Sequence, residues 1–446
     1  MMRCLSTVPI ALSIMASGLL AQDRTADPNK PNVVLIVTDD VGYGDFGVYG
    51  ARDVKTPNID RLAQQGVRLT DFYASPQCTP TRAALITGRY PQRVLLERAL
   101  GTVGDDLEKG LTATGRSLPQ LVKNNGYATG LVGKWHLGFK PEFGPNAHGF
   151  DYFFGFLSGY IDFYHHTRGY DDQSDLYENT TPIQEDGYMT DLITARAARF
   201  ITEHAAAPFF LEVTYNAAHW PFQPPDHPSK APRSSTFQGP ADSVPATRKD
   251  YVAMIERADA GVGRIMHMLD SLGLTRRTLV IFTNDNGGEW LSRNAPLFHR
   301  KDTLWEGGIR VPAIFRWPGR ITAGQTSGQV GITMDLTATI LAATQSPIPT
   351  GARLEGIDLL PVLERRPPPT ERTLFWRIDT RTRQQRAVRQ GSWKLLVDGD
   401  DLLLFNLRDD IGERNDLAAR RPDLVSKLLA LLRAWEADVD AEAATR

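Results

Sequence analysis

The sequence predicts an α/β chain with a large mixed, mostly parallel sheet sandwiched by helices, then a smaller C-terminal antiparallel sheet with a closing helix. Three observations lead there. Asn32 to Thr38 is a β-branched apolar run without alternation, the pattern of a central parallel strand buried on both faces. Strand and helix patterns then alternate as far as residue 345. Beyond residue 372 the pattern changes to short strands separated by turn residues. The expected units are an α/β domain at 22–345, a connecting segment at 346–372 rich in Pro, Gly and Arg, and an α+β subdomain at 373–446.

Each element has its own signal. The first strand ends at Asp39-Asp40 and a Gly-rich turn, and open α/β sheets place ligands at such carboxyl ends. Pro57 to Gly66 reads as a helix with Asn58 as cap and Ile59 and Leu62 on one face. A helix over Ser117–Gly126 leads into the apolar run Ala128 to Val132, which is followed by Gly133-Lys134-Trp135-His136. Phe150 to Tyr188 is rich in aromatics, Gly and Asp without a period, and reads as long loops over one face.

Thr190 to His204 is helical, and Pro208 to Thr214 is a strand running into His219. From Pro221 to Pro245 proline forbids regular structure. Lys249 to Leu272 carries Val252, Ile255, Ala258, Val262, Ile265, Met266 and Leu269 at helical spacing. Thr278 to Thr283 is a second buried strand ending in Asn284-Asp285-Asn286-Gly287-Gly288. Ala313 to Arg316 is the last core strand and Thr333 to Ala343 a further helix. Short strands at Thr373–Arg377, Arg386–Arg389, Trp393–Val397 and Leu402–Asn406 precede a closing helix from about Arg421 to Val439.

Composition narrows the function classes. The 446 residues carry a formal net charge of -2, so no overall basic excess drives binding to nucleic acid or to an anionic membrane. Arg3 and the apolar run Val8 to Leu20 read as a signal peptide at 1–21, too short to span a bilayer, so export to the periplasm or outside is expected. Of the two cysteines, Cys4 lies in that signal, which leaves Cys78 alone in an oxidising compartment. An unpaired thiol there is inert and buried, intermolecularly paired, reactive or modified.

Asp39, Asp40, Asp285 and Asn286 are oxygen donors on two strand ends, a set that suits a hard divalent ion, calcium first and magnesium second. Turn or cap roles are the alternative for each pair. Arg82, Lys134 and Lys301 with His136 and His219 would make a local positive pocket for a tetrahedral anion.

Cys78-Thr79-Pro80-Thr81-Arg82 followed by Ile86-Thr87-Gly88-Arg89 resembles the modification signature of the formylglycine-dependent sulfatases of the alkaline phosphatase superfamily, arylsulfatase-like members included. Supporting blocks are Asn32 to Gly44, Gly133 to Gly138, His219-Trp220-Pro221, Asn284 to Gly288, Glu306 to Pro312, Trp393-Lys394-Leu395 and Leu404 to Leu407.

The resemblance implies that a formylglycine-generating maturation enzyme oxidises Cys78 to formylglycine, whose hydrate attacks sulfur. It implies calcium on Asp39, Asp40, Cys78 as modified, Asp285 and Asn286, with Asp285 a candidate base. Arg82 would stabilise the hydrated residue 78, and Lys134 and Lys301 would grip the sulfate. His136 would assist sulfate release, and His219 with Lys301 would protonate the departing oxygen. Thr81 stands where many members carry Ser or Ala, and Ser158 lies where some place a further sulfate contact.

A sulfated carbohydrate is the expected substrate class, with an aryl sulfate ester as surrogate, because residues 154–166 resemble the matching loop of polysaccharide sulfatases. Asp162, Tyr164, His165 and His166 are its candidate sugar contacts, unless that loop packs on itself. The other readings are a phosphodiesterase or phosphonate hydrolase on the same scaffold and a non-catalytic glycan-binding protein.

Overall fold

The computed structural model describes residues 30–168, 173–226, 246–365, 370–380 and 383–445. The expected signal peptide with Cys4, and most of the proline-rich stretch after Pro221, lie outside them. The α/β part comprises, in order, β1 (Asn32–Thr38), α1 (Pro57–Gln64), β2 (Val67–Tyr73), α2 (Cys78–Thr87), α3 (Leu118–Asn124), β3 (Ala128–Lys134), β4 (Tyr152–Phe156), β5 (Tyr177–Glu178) and β6 (Thr181–Pro182). It continues with α4 (Met189–Glu203), β7 (Phe209–Thr214), α5 (Arg248–Ser271), β8 (Thr278–Asn284), α6 (Glu306–Ile309), β9 (Arg310–Arg316), β10 (Gln325–Ser327), β11 (Gly331–Ile332) and α7 (Thr333–Ala343). α8 (Leu360–Leu363) falls in the stretch expected to connect the two sheets and packs Leu360 and Leu363 into the core of the large one.

Among the described residues the large sheet runs β10-β2-β9-β8-β1-β7-β3-β4-β5-β6, with β11 also on β2. Strands β8, β1, β7, β3 and β4 are mutually parallel, so their carboxyl ends share one edge. β9 runs antiparallel to both β8 and β2, which makes the sheet mixed. Alternate residues of β1 feed opposite cores: Val34 and Ile36 pack with α1, α4 and α5, while Val33, Leu35 and Val37 pack with α2, α3 and α7.

Three local readings are corrected. Thr56, not Asn58, precedes α1; the Asn58 amide instead donates to Asp259 of α5 (2.8 Å), because the helix end is packed against that helix. The aromatic stretch after Phe150 contains β4, whose Phe153 faces one core and Phe154 and Phe156 the other, so burial on both faces erased any alternation. β2 was hidden by Arg68, Thr70 and Asp71, polar residues within a strand whose Val67, Leu69 and Phe72 reach the core.

The C-terminal sheet is antiparallel in the order β12 (Thr373–Thr380), β13 (Arg383–Gln390), β14 (Trp393–Asp398) and β15 (Asp401–Asn406), covered by α9 (Pro422–Ala443). Its core is shared with the large-sheet part through Tyr73, Ala84, Leu304 and Ile309. An ionic cluster lies in the same junction. Lys394 Nζ stands 2.9 Å from Glu306 Oε1 and 2.8 Å from Glu413 Oε1, and Arg310 Nη1 is 3.0 Å from Glu306 Oε2. Among the described residues no helix is long and apolar enough to cross a membrane.

Candidate active site

Strand pairing assembles the site before any side chain is considered. Thr38 pairs with Asn284, so the next residues, Asp39-Asp40 and Asp285-Asn286, leave the sheet side by side. β7, on the other side of β1, delivers His219 through a turn held by Asp39 N–H on Ala217 O (3.0 Å) and Ala218 N–H on Asp39 O (2.7 Å). β3 delivers Lys134 and His136. Gly133 is required there: its φ is +119°, and a Cβ would stand 1.9 Å from Thr214 O. Asp40 and His136, with φ of +56° and +58°, take left-handed conformations that bend both side chains away from their strands.

Cys78 is the first residue of α2, and the four-residue spacing puts Arg82 on the same helix face one turn later. Cys78 Sγ is 3.6 Å from Asp39 Oδ1 and buried. Arg82 donates through Nη1 to Lys134 O (2.8 Å) and pairs through Nη2 with Asp285 Oδ2 (3.1 Å). Lys134 Nζ lies 2.6 Å from Asp39 Oδ2, with both side chains fully buried. Lys301, from the loop between β8 and α6, reaches Asp40 Oδ2 at 2.7 Å, His219 Nε2 at 3.4 Å and Glu289 Oε2 at 3.8 Å.

Electrostatics follow from crowding these charges away from water. Burial and then Asp285 push the Asp39 carboxyl up to about 8, against the pull of Lys134. Burial acts to raise Asp40 as well, but the ammonium groups of Lys301 and then Lys134 overcome it and hold that carboxyl below its usual range. Burial, reinforced by Asp285, raises the Cys78 thiol well above its ordinary value, so the thiol is not activated as a nucleophile. Burial also lowers both imidazoles well below the usual histidine value. Lys134 adds to this at His136; at His219 the opposing pull of Asp40 is overcome with help from Lys301. Both histidines are therefore neutral, and Lys301, raised by Asp40 against its own burial, keeps its proton.

The grouped donors could hold a metal ion. Ligand atoms of Asp39, Asp40, Cys78 and His219 lie within 4.8 Å of one another. Asn286 Oδ1 is buried without a hydrogen-bond partner, while its amide nitrogen donates to Asp40 Oδ1 (2.6 Å). An orphaned oxygen beside two carboxylates is what a divalent ion would satisfy.

Residues 31–346 match the family model described as Sulfatase. The chain belongs to the sulfatase family. It is 36% identical over 387 residues to the N-acetylgalactosamine-6-sulfatase of Mus musculus, covering 81% of this chain and 71% of that protein. It is 31% identical to the arylsulfatase A of Bos taurus, over 98% of this chain and 91% of the relative. The crystal structure of Ps i-CgsB in complex with k-i-k-neocarrahexaose superposes with a TM-score of 0.83 at 31% identity, covering 91% of this chain and 92% of that one. The phosphonate monoester hydrolase of Agrobacterium radiobacter, at 21% identity and a TM-score of 0.67, shares the fold. As a sulfatase, the chain is a sulfuric ester hydrolase.

In this sulfatase all the expected site residues converge: Asp39, Asp40, Cys78, Arg82, Lys134, His136, His219, Asp285, Asn286 and Lys301 are buried or nearly so around one centre. Trp135 between Lys134 and His136 is core packing, its Nε1 donating to Phe143 O (2.8 Å).

The expected sugar contacts fare differently. Asp162 is buried and accepts from the backbone N–H groups of Tyr164 (2.8 Å) and His165 (2.6 Å) and from Gln223 Nε2 (2.6 Å). His166 bonds Gly187 O (3.1 Å) and Tyr164 Oη donates to Pro224 O (2.7 Å), so these side chains hold the loop together. The Ser158 hydroxyl is likewise engaged, donating to Tyr160 O (2.8 Å). The sequence reading missed Glu289; its position just after the strand-end motif Asn284 to Gly288 was the available signal.

Proposed function

We propose that this sulfatase is exported and hydrolyses sulfate esters of a sulfated glycan, using formylglycine formed from Cys78 and a calcium ion at Asp39, Asp40, Asp285 and Asn286. The observation that carries the reading is the convergence on Cys78 of four acidic or amide donors and three cationic side chains in one buried pocket. The relatives support the glycan class by their names and by the neocarrahexaose bound to Ps i-CgsB. Export rests on Arg3 and the apolar run that follows it.

Once modified and hydrated, residue 78 supplies the attacking oxygen, and the ion would orient it and offset charge on the sulfate. The remaining work falls to side chains of this chain. Lys134 and Lys301 bring two ammonium groups to the tetrahedral anion in a site shielded from water, where their charge is screened less than at the surface. Arg82 is locked between Lys134 O and Asp285, so it holds the first turn of α2, and with it residue 78, in place.

His219 Nδ1–H donates to Trp220 O (2.5 Å), which leaves Nε2 as the acceptor facing Lys301 Nζ at 3.4 Å. The leaving oxygen draws its proton from this pair, and a sugar alcohol needs that proton. His136 donates from Nε2 to Leu100 O (2.9 Å) and leaves Nδ1 buried without a partner, a neutral base for a hydroxyl proton at residue 78.

The test is the mass of the tryptic peptide 69–82 from native-host protein, measured beside sulfate release from an aryl sulfate. Replacing sulfur and two hydrogens with one oxygen, a two-electron oxidation of Cβ by the maturation system, lowers the mass by about 18 Da and removes the thiol. Loss of activity in Cys78→Ala together with that shift supports the reading. Active protein with an intact thiol at Cys78 overturns it.

A further inference from the structure

The turn at 158–160 touches both active-site histidines. Ser158 anchors it, its N–H donating to Asp175 Oδ2 (2.8 Å). Gly159 lies against His136 so closely that a Cβ there would stand 2.6 Å from Cε1 of the imidazole, so no larger residue fits. Tyr160 then lays its ring over His219, the planes 5° apart and the centroids 5.8 Å apart, and packs on Trp220 at a centroid distance of 4.0 Å. His219 is buried, whereas Tyr160 and Trp220 are half-buried. The approach to the His219–Lys301 pair is thus walled by two aromatic rings that solvent reaches.

The floor of the site consists of charged groups suited to the sulfate alone. The organic part of an ester must project past the pair that protonates its oxygen, which places it along this wall. A pyranose presents C–H groups on one face and hydroxyls around its rim. A tyrosine ring matches that face with an apolar, electron-rich surface, and a few such contacts orient a ligand whose polar ends bind elsewhere.

We propose that Tyr160, backed by Trp220, is the platform on which the sulfate-bearing sugar ring lies, and so a specificity-determining residue of this enzyme. The proposal rests on the glycan reading above. It moves sugar recognition from Asp162, Tyr164, His165 and His166, which brace the loop, to the one aromatic side chain of that loop stacked on the proton-donating pair.

The test compares wild type with Tyr160→Ala, Tyr160→Leu and Tyr160→Phe on a panel of galactose and N-acetylgalactosamine monosulfates, with inorganic sulfate as a competitive inhibitor and a thermal melt of each variant. Expected for Tyr160→Ala is a KM raised about tenfold for the sugar sulfate turned over, with kcat falling less than KM rises, while the Ki of inorganic sulfate stays within about twofold. Tyr160→Leu should fall between, and Tyr160→Phe should retain a KM near wild type. An unchanged KM in Tyr160→Ala overturns the proposal, as does a sulfate Ki that rises in step with KM, since the residue would then only support His219. Wild-type protein that cleaves an aryl sulfate but no sugar on the panel sinks the reading of a galactose-type glycan sulfate, and this proposal with it; wild-type protein that cleaves a sugar sulfate, with Tyr160→Ala unchanged in KM or raised equally in KM and sulfate Ki, sinks the proposal alone.

Discussion

Replacing Lys394 with methionine would remove the only ammonium group of the junction cluster and leave two carboxylates facing each other. Lys394, Glu306 and Glu413 have no solvent-exposed side-chain surface, and the lysine lies within 2.9 Å of both acids. Burial acts to raise Glu306, but Lys394 first, then Arg310 and Arg389, overcome it and hold that carboxyl down to about 2; without Lys394, Glu306 still keeps Arg310 at 3.0 Å and the Tyr73 hydroxyl donating at 2.7 Å. Among the described residues Glu413 has no such second cation, and burial already pushes its carboxyl up to about 7.

Breaking a buried ion pair from one side costs about 3–5 kcal/mol. At an m value of roughly 3 kcal/mol/M this is a fall of about 1–2 M in the urea midpoint followed by tryptophan fluorescence. The loss should grow with pH at up to about 1.4 kcal/mol per unit above pH 7, because Glu413 escapes the penalty by binding a proton. Adding Glu413→Gln should recover most of it and flatten the pH dependence. Sulfate release should fall in parallel, since Leu304 N–H is held by Gln385 Oε1 (2.8 Å) of the same sheet and lies three residues after Lys301. A midpoint within about 0.3 M of wild type at pH 8, or no rescue by Glu413→Gln, would refute the reasoning.

His219→Ala should lower turnover of a sugar sulfate by about 10²–10⁴, yet affect 4-nitrophenyl sulfate about tenfold or less, because that leaving oxygen needs no proton; equal losses on both would remove His219 from proton transfer. A chelator should lower the thermal midpoint together with activity, and calcium at about 100 times its Kd should restore about 2.7 kcal/mol; a melt that does not respond to calcium would contradict the ion site. His148, its Nε2 on Leu111 O (3.0 Å), is held down to about 4 by burial. The unfolded chain binds that proton near pH 6.5, so the stabilisation is complete above 6.5 and declines by about 1.4 kcal/mol per unit as pH falls towards 4. His148→Gln should remove that slope from the melting temperature between pH 4 and 6.5, and an unchanged slope would show that His148 does not titrate on unfolding.

Much of the fold could be read locally. The strands at 32–38, 209–214 and 278–284 are continuous apolar runs, and helix α5 has regular apolar spacing within a residue of the range read from sequence. β2 and β4 could not be read this way, because one mixes polar residues into a buried strand and the other is aromatic on both faces. The site residues were legible as pairs of acids after strands and as the stretch around Cys78, but the hydrogen bonds that Asp162, Tyr164, His165 and His166 make within their own loop were not. Asp162 and His165 look like ligands in a list of residue types, and only their partners show that they close a loop.

The order of residues along the chain determined that two apolar strands end in acids, that an unpaired cysteine stands four residues before an arginine, and that the family is the sulfatases. Those are local facts, set by composition and short spacing. The tertiary structure decided what lies next to what. Lys301 meets Asp40 across 261 residues, and Asp39 and Asp285 share a low-dielectric site only because β1 and β8 pair in parallel. Which carboxyl holds a proton, which imidazole nitrogen is free, and which ring of the 158–160 turn stacks on His219 depend on distance and burial. Those quantities come into being when strands far apart in sequence are hydrogen-bonded side by side and water is excluded from between them.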